Sequence, residues 1–230
     1  QSFEPELIYI QNKCTICGTC AAVCPEHVHS MDAGEHTLNR ESCTACGICA
    51  DACPTSALAI KGYTIDASVV IEKAIRMKPF FKHSRGGITI TGGEVTAQPK
   101  FAMEILTGCK GEGIHTAIET CGACAWETLE PIAELCDLIM YDIKLADSRD
   151  HERWTGAGND NILENLCRLS AEKIRIRVPL IPGITDTEAN LTAVGKLASA
   201  SGITDVEHLP YNESSQAKYE WLGREITLEV

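Results

Sequence analysis

The sequence predicts an α/β protein in which a small cysteine-rich module precedes a parallel sheet with helices between its strands. Three observations predict it. Cysteine is concentrated: eight of the 13 fall within the first 53 residues. Beyond residue 60, short strand-like runs alternate with helical patterns of about 10–15 residues, the pattern of βαβ units. The 230 residues are 44% apolar, ample for a buried core.

The cysteine module comes first. Cys14, Cys17, Cys20 and Cys24 read C-x2-C-x2-C-x3-C ahead of Pro25, and Cys43, Cys46, Cys49 and Cys53 repeat the spacing ahead of Pro54. Each member of the second set lies 29 residues after its counterpart, and CTICGTCAAVCP aligns with CTACGICADACP without a gap. This is an internal duplication. Its chemistry fits two 4Fe–4S clusters. Three cysteines at two-residue gaps wrap one cubane from a tight loop, and the fourth, at the proline, starts a helix leading away and ligates the other cluster. Cluster one then takes Cys14, Cys17, Cys20 and Cys53; cluster two takes Cys43, Cys46, Cys49 and Cys24. Gly18 and Gly47 suit the tight backbone. Zinc takes its four ligands in two pairs and fits this order badly. Residues 12–60 resemble the bacterial two-cluster ferredoxin module, and residues 1–62 are expected to form a domain of that kind. His27, His29 and His36, between the two halves, read as solvated loop histidines rather than further ligands.

Residues 63–230 are expected to form the α/β domain. Residues 66–82 carry apolar positions at helical spacing behind Asp66 as N-cap. Strands are expected at 88–91, 114–119, 137–143, 173–181 and 204–210, and helices at 98–111, 126–135, 159–171, 187–200 and 215–222. Five strands are too few for a closed eight-stranded barrel, which leaves a partial barrel or an open sheet. In such folds chemistry gathers at the C-terminal ends of strands. Those ends deliver Gly92-Gly93-Glu94, then Glu119, then Asp142 and Lys144, with Arg177 and Asn212 on the later strands. Three carboxylates beside cations on one rim suit a zwitterionic ligand. Cys121 and Cys124 read as packed free thiols rather than a redox pair, and Cys109, Cys136 and Cys167 as core.

The balance of 32 acidic to 20 basic residues gives a formal charge of −12, a poor match for nucleic acid or anionic membrane. No apolar run is long enough to span a bilayer. An odd cysteine count without a secretory signal argues against a disulfide framework and for a reducing cytoplasm.

TGGEVTAQPKFAMEIL, HTAIETCG, YDIK, RVPLIPGITD and LPYN, in that order and behind the duplicated cysteine array, resemble the radical S-adenosylmethionine (SAM) activating enzymes of glycyl radical enzymes. The members with a two-cluster ferredoxin insert are the most similar. The resemblance implies a partial (β/α)6 barrel that binds SAM across its strand tops. Gly92, Gly93 and Glu94 would hold the methionine amino group, Glu119 would stand near the carboxylate, and Asp142, Ile143 and Lys144 would match the family's DxK segment. It further implies reductive cleavage of SAM, a glycyl radical enzyme as protein substrate, and a flavodoxin or ferredoxin as electron donor.

Three departures from that pattern matter. The C-x3-C-x2-C triplet that anchors the reactive cluster of radical SAM enzymes is absent from these residues. The chain opens on Gln1, so the triplet and the first barrel strand are expected in a preceding segment. A third cluster is then expected only in the intact protein, and these 230 residues alone are not expected to cleave SAM. Val95 stands where the family's GGE is followed by proline, and Asn212 replaces a histidine, which removes a group able to titrate near neutrality. Two other readings stay open: a ferredoxin-type electron carrier fused to an inactive barrel, and another radical SAM enzyme with auxiliary clusters.

Overall fold

The computed structural model describes residues 4–212 and 215–224. The described residues divide into two compact units, one comprising those up to Thr64 with residues 212 and 215–224, the other Ile65–Tyr211.

In the first unit, β1 (Glu6–Tyr9) pairs antiparallel with β4 (Leu58–Lys61), and β2 (His29–Asp32) forms a hairpin with β3 (Glu35–Leu38). Two short helices, α1 (Thr19–Val23) and α2 (Ile48–Asp51), each start directly after a left-handed glycine, Gly18 and Gly47. That conformation costs glycine nothing and most residues 1–2 kcal/mol, roughly. Cys20 and Cys49 lie on these helices and pack with Leu7 and Leu58 in the unit's small core. The fourth cysteines differ from expectation. Cys24 closes α1 as its C-cap, and Cys53 follows α2 by two residues, so each ends a helix rather than starting one. The prolines after them open turns that lead back to strands. The four-residue strands were not foreseen, being too short to show an alternation. Helix α9 (Ser215–Trp221) groups with this unit, where Arg40 donates to both the Leu7 and Trp221 carbonyls at 2.7 Å.

The second unit is a five-stranded sheet in sequence order: β5 (Gly87–Ile90), β6 (His115–Thr120), β7 (Leu138–Asp142), β8 (Ile174–Leu180) and β9 (Asp205–Pro210). Every pairing is parallel. Each crossover carries helix: α4 (Pro99–Gly111), α5 (Trp126–Glu134), then α6 (Ser148–Thr155) with α7 (Asp160–Arg168), then α8 (Glu188–Ala200). Helix α3 (Ala67–Ser84) precedes the sheet, with Asp66 at its N-cap position but making no capping hydrogen bond. Ile118, Ile139, Tyr141, Ile176 and Val178 point from alternate strand positions into a core shared with Leu106, Leu129 and Leu166. At about 1.5–3 kcal/mol per fully buried aliphatic side chain, this layer is the main source of stability. Helix α6 escapes the periodicity argument because SRDHERWT is almost wholly polar. It forms because Asp147 caps it, accepting from the Arg149 and Asp150 N–H groups at 2.9 and 3.0 Å. The expected helix over 159–171 stops at Arg168, where a short 3-10 turn follows.

Candidate functional site

Two sets of residues carry chemistry, one in each unit. In the first unit the cysteines line two cavities. One is bounded by Cys14, Cys17, Cys20 and Cys53; the other by Cys24, Cys43, Cys46 and Cys49. Each therefore draws three cysteines from one half of the duplication and the fourth from the other. All eight are free thiols. Burial pushes the Cys49 thiol up to about 11, with neighbouring cysteines adding to the effect. A bound cation reverses that cost by stabilising thiolate. Four sulfurs around one pocket suit one cubane each.

The histidines behave otherwise than the sequence suggested. His27 is exposed, but His29 and His36 are buried, with 7% and 8% of their surface accessible, and they face each other across the β2–β3 hairpin. Strand alternation turns both inward, which a loop reading could not anticipate.

In the second unit the strand tops meet as a rim. Glu94 follows β5, and its carboxylate accepts from Thr120 Oγ1 at 2.6 Å, from the Cys121 N–H at 3.0 Å, and from the Thr96 hydroxyl and N–H at 3.0 and 3.2 Å. The Cys121 thiol adds a fifth donor at 3.2 Å. Burial pushes the Glu94 carboxyl up, but these bonds more than offset it and hold it below the usual range. Beside it, Arg177 of β8 bridges two strand ends. Its Nη1 donates to Glu119 at 2.7 Å, and its Nε and Nη2 donate to Asp142 at 2.9 and 2.8 Å. Thr91 donates to the other Glu119 oxygen. Glu119 is likewise held low: burial raises it, and Arg177 and Thr91 pull it further down. Lys144 stands two residues past the end of β7, half-buried, and its ammonium makes no hydrogen bond or ion pair among the described residues.

Gly92 and Gly93 are exposed at the top of β5, Gly92 with φ of 128°, a backbone open to glycine alone. Ile143 is buried, and its N–H extends the β7–β8 ladder by donating to the Arg177 carbonyl at 3.0 Å. Asn212 lies two residues past β9, exposed, and groups with the first unit. The rim thus brings Glu94, Glu119, Asp142 and Lys144 together. Every carboxylate on it already has a donor, so an incoming ammonium would meet backbone carbonyls or compete with Arg177.

Sequence reasoning missed the residues that hold the loops. Asn165 of α7 donates to the Gly122 and Cys124 carbonyls, both at 2.9 Å, and Asn190 of α8 donates to the Lys144 and Thr185 carbonyls at 3.0 and 2.8 Å. The available signal was a buried-face asparagine in each otherwise apolar stripe. Gly122 allows its loop to close: a Cβ there would lie 1.7 Å from the Tyr141 hydroxyl.

Cysteine-lined cavities in one unit and a glycine–carboxylate rim on a parallel sheet in the other define a class. Residues 40–193 match the model of the Radical SAM superfamily, and residues 13–58 match the 4Fe-4S dicluster domain. The chain belongs to the radical SAM superfamily. Within it, this is a member of the glycyl radical enzyme activating enzymes. The choline trimethylamine-lyase activating enzyme of Oleidesulfovibrio alaskensis is 39% identical over 235 residues, covering 97% of this chain and 75% of that protein. The (2S)-3-sulfopropanediol sulfolyase activating enzyme of Bilophila wadsworthia is 36% identical, over 100% of this chain and 78% of that protein. A solved domain of pyruvate-formate lyase-activating enzyme from Bacteroides vulgatus superposes with a TM-score of 0.51 at 30% identity, covering 60% of this chain and 91% of that one.

Proposed function

We propose that this chain provides SAM-binding and auxiliary-cluster sites in an activase that generates a glycyl radical on a partner enzyme. The carrying observation is the rim itself: the strand tops gather Gly92–Glu94, Glu119, Asp142 and Lys144 in a chain that also holds two four-cysteine cavities. The cofactor chemistry is one-electron cleavage of the SAM sulfonium, which yields the radical that abstracts hydrogen from glycine.

The protein's own residues bind and orient. Gly92 and Gly93 let the ligand approach the backbone closely. Glu94 is fixed by its donors and holds the loop that presents them. Lys144 offers a cation to a ligand carboxylate, and the Asp142–Ile143–Lys144 segment is held in place by Arg177 and Asn190. Cys14, Cys17, Cys20 and Cys53 hold one 4Fe–4S cluster, and Cys24, Cys43, Cys46 and Cys49 the other. Clusters held there would supply one-electron redox chemistry, with a flavodoxin or ferredoxin as the donor in a reducing cytoplasm. The protein substrate is a glycyl radical enzyme.

The test is anaerobic reconstitution of the 230-residue chain followed by iron analysis and equilibrium dialysis with SAM. Two cubanes give about 8 iron atoms per chain, and Lys144→Ala weakens SAM binding about tenfold, or ~1.4 kcal/mol. A chain that holds its iron but does not bind SAM would instead be an electron carrier on an inactive barrel.

A further inference from the structure

The two cysteine cavities come from a duplication, yet their sulfurs are not treated alike. Around the first, Thr19 Oγ1 lies 3.3 Å from Cys17 Sγ and Thr55 Oγ1 3.7 Å from Cys53 Sγ. The Ile16 N–H donates to Cys14 Sγ at 3.4 Å and the Ala57 N–H to Cys53 Sγ at 3.3 Å. His36 places Nδ1 3.6 Å from Cys14 Sγ and Nε2 3.8 Å from Cys20 Sγ. Among the described residues, no side chain donates to Cys24, Cys43, Cys46 or Cys49. Charge does not restore the balance. Glu26 lines the second cavity, while Arg40 is near enough to Cys43 to feel its charge, and the two carry opposite signs.

The tautomer of His36 follows from its partners. A cluster-bound cysteine sulfur is an acceptor only, so the ring nitrogen facing Cys14 must carry a proton to gain from the contact. With Nδ1 protonated, neutral His36 accepts at Nε2 from His29 Nδ1, 2.9 Å away. His29 Nε2 is then an unprotonated acceptor, and it is indeed buried without a partner. In this arrangement the Nε2 lone pair, 3.8 Å from Cys20 Sγ, is taken up by the much nearer His29 N–H, whereas the opposite one would leave the Nδ1 lone pair facing only Cys14 Sγ and strand a buried N–H at His29 Nε2. Tyr9 packs edge-on against the His36 ring at 4.5 Å and completes its enclosure.

We propose that His36, oriented by His29, donates a hydrogen bond from Nδ1 to the Cys14 sulfur and so makes the cluster held by Cys14, Cys17, Cys20 and Cys53 the higher-potential member of the pair. Reduction adds one electron and one negative charge to a cluster, and donors to its sulfurs stabilise that charge. Electrons then settle on the first cluster after entering through either. This inference rests on the two-cluster reading above.

The test is an EPR-monitored reductive titration of the reconstituted chain, with dithionite as one-electron donor and iron counted in parallel. Wild type should show about 8 iron atoms per chain and two separate one-electron waves. His36→Leu should lower the upper wave by about tenfold in its reduction equilibrium, or about 59 mV, and leave the lower one in place. His36→Gln, which keeps an N–H donor, should retain part of the shift. Eight irons with neither wave moved, or with only the lower one moved, overturns the inference and leaves the two-cluster reading intact. A wild-type iron count near four overturns both. A second measurement needs no substitution. With 15N-histidine in the wild-type chain, nitrogen hyperfine coupling should appear on the cluster reduced first; its absence there overturns the assignment.

Discussion

Cys14, Cys17 and Cys20 lie within seven residues of one another, whereas Glu119 and Arg177 meet across 58. The first unit builds its ligand cavities from local loops, each tightened by a left-handed glycine, and borrows one sulfur from the other half. The second unit assembles its rim from residues that only a finished sheet brings together. Local spacing suffices where the ligand is the organising centre. Where protein groups must organise one another before a ligand arrives, tertiary contacts decide the site, and the pairing of Arg177 with both Glu119 and Asp142 is the clearest instance.

The largest expected effect tests the shared sulfurs. Cys14→Ser and Cys53→Ser should each cut iron by about four atoms per chain. The double variant should cut no more than either single change, since both serve one cavity. Cys14→Ser with Cys24→Ser should remove nearly all of it. A double variant at Cys14 and Cys53 that also lost the second cluster would break the picture of two exchanged fourth ligands.

The next effect lies wholly in the sheet. Ile118→Ala empties a fully buried site and should destabilise the second unit by about 2–5 kcal/mol. It should appear as a lower urea midpoint at unchanged iron content. Arg177→Met follows. It strips Glu119 and Asp142 of three charge-assisted hydrogen bonds, and denaturant titration should show a loss of about 2–3 kcal/mol. SAM affinity should fall in parallel, because Arg177 holds the Asp142–Lys144 segment through Asp142.

Thr120→Val is the smallest change, at about 1–2 kcal/mol, and pH exposes it best. Glu94 and Glu119 both titrate below their ordinary 4.5 in the folded chain. Their stabilisation is therefore complete above that value and is lost as pH falls through the lowered folded values. Without the Thr120 hydroxyl the Glu94 value rises toward 4.5, so the decline of the urea midpoint under acid should be shallower than in wild type.

Much of this was legible before folding. The five sheet strands and the helices between them followed from periodicity, because each buries a stripe or face at its own repeat. Helix α6 did not, since its stability comes from a cap and not from an apolar face. The strands of the first unit did not either, being four residues long. On the rim, Glu94, Glu119, Asp142 and Lys144 were visible because they stand at strand ends, where parallel sheets gather chemistry. Asn165 and Asn190 were not, because a loop-pinning role belongs to the carbonyls they meet and leaves no mark in spacing.

The sequence by itself determined the duplicated cysteine array, the α/β order and the set of rim residues, all properties carried by short-range spacing. Tertiary structure alone decided how those residues are spent. It turned His29 and His36 inward beside one cavity only, committed every rim carboxylate to a protein donor, and left the Lys144 ammonium without a partner among the described residues. The physical reason is the same in each case. Burial makes a polar group find a partner or carry the cost of lacking one, and which partner is within reach is fixed by the packing of strands and helices far apart in the chain.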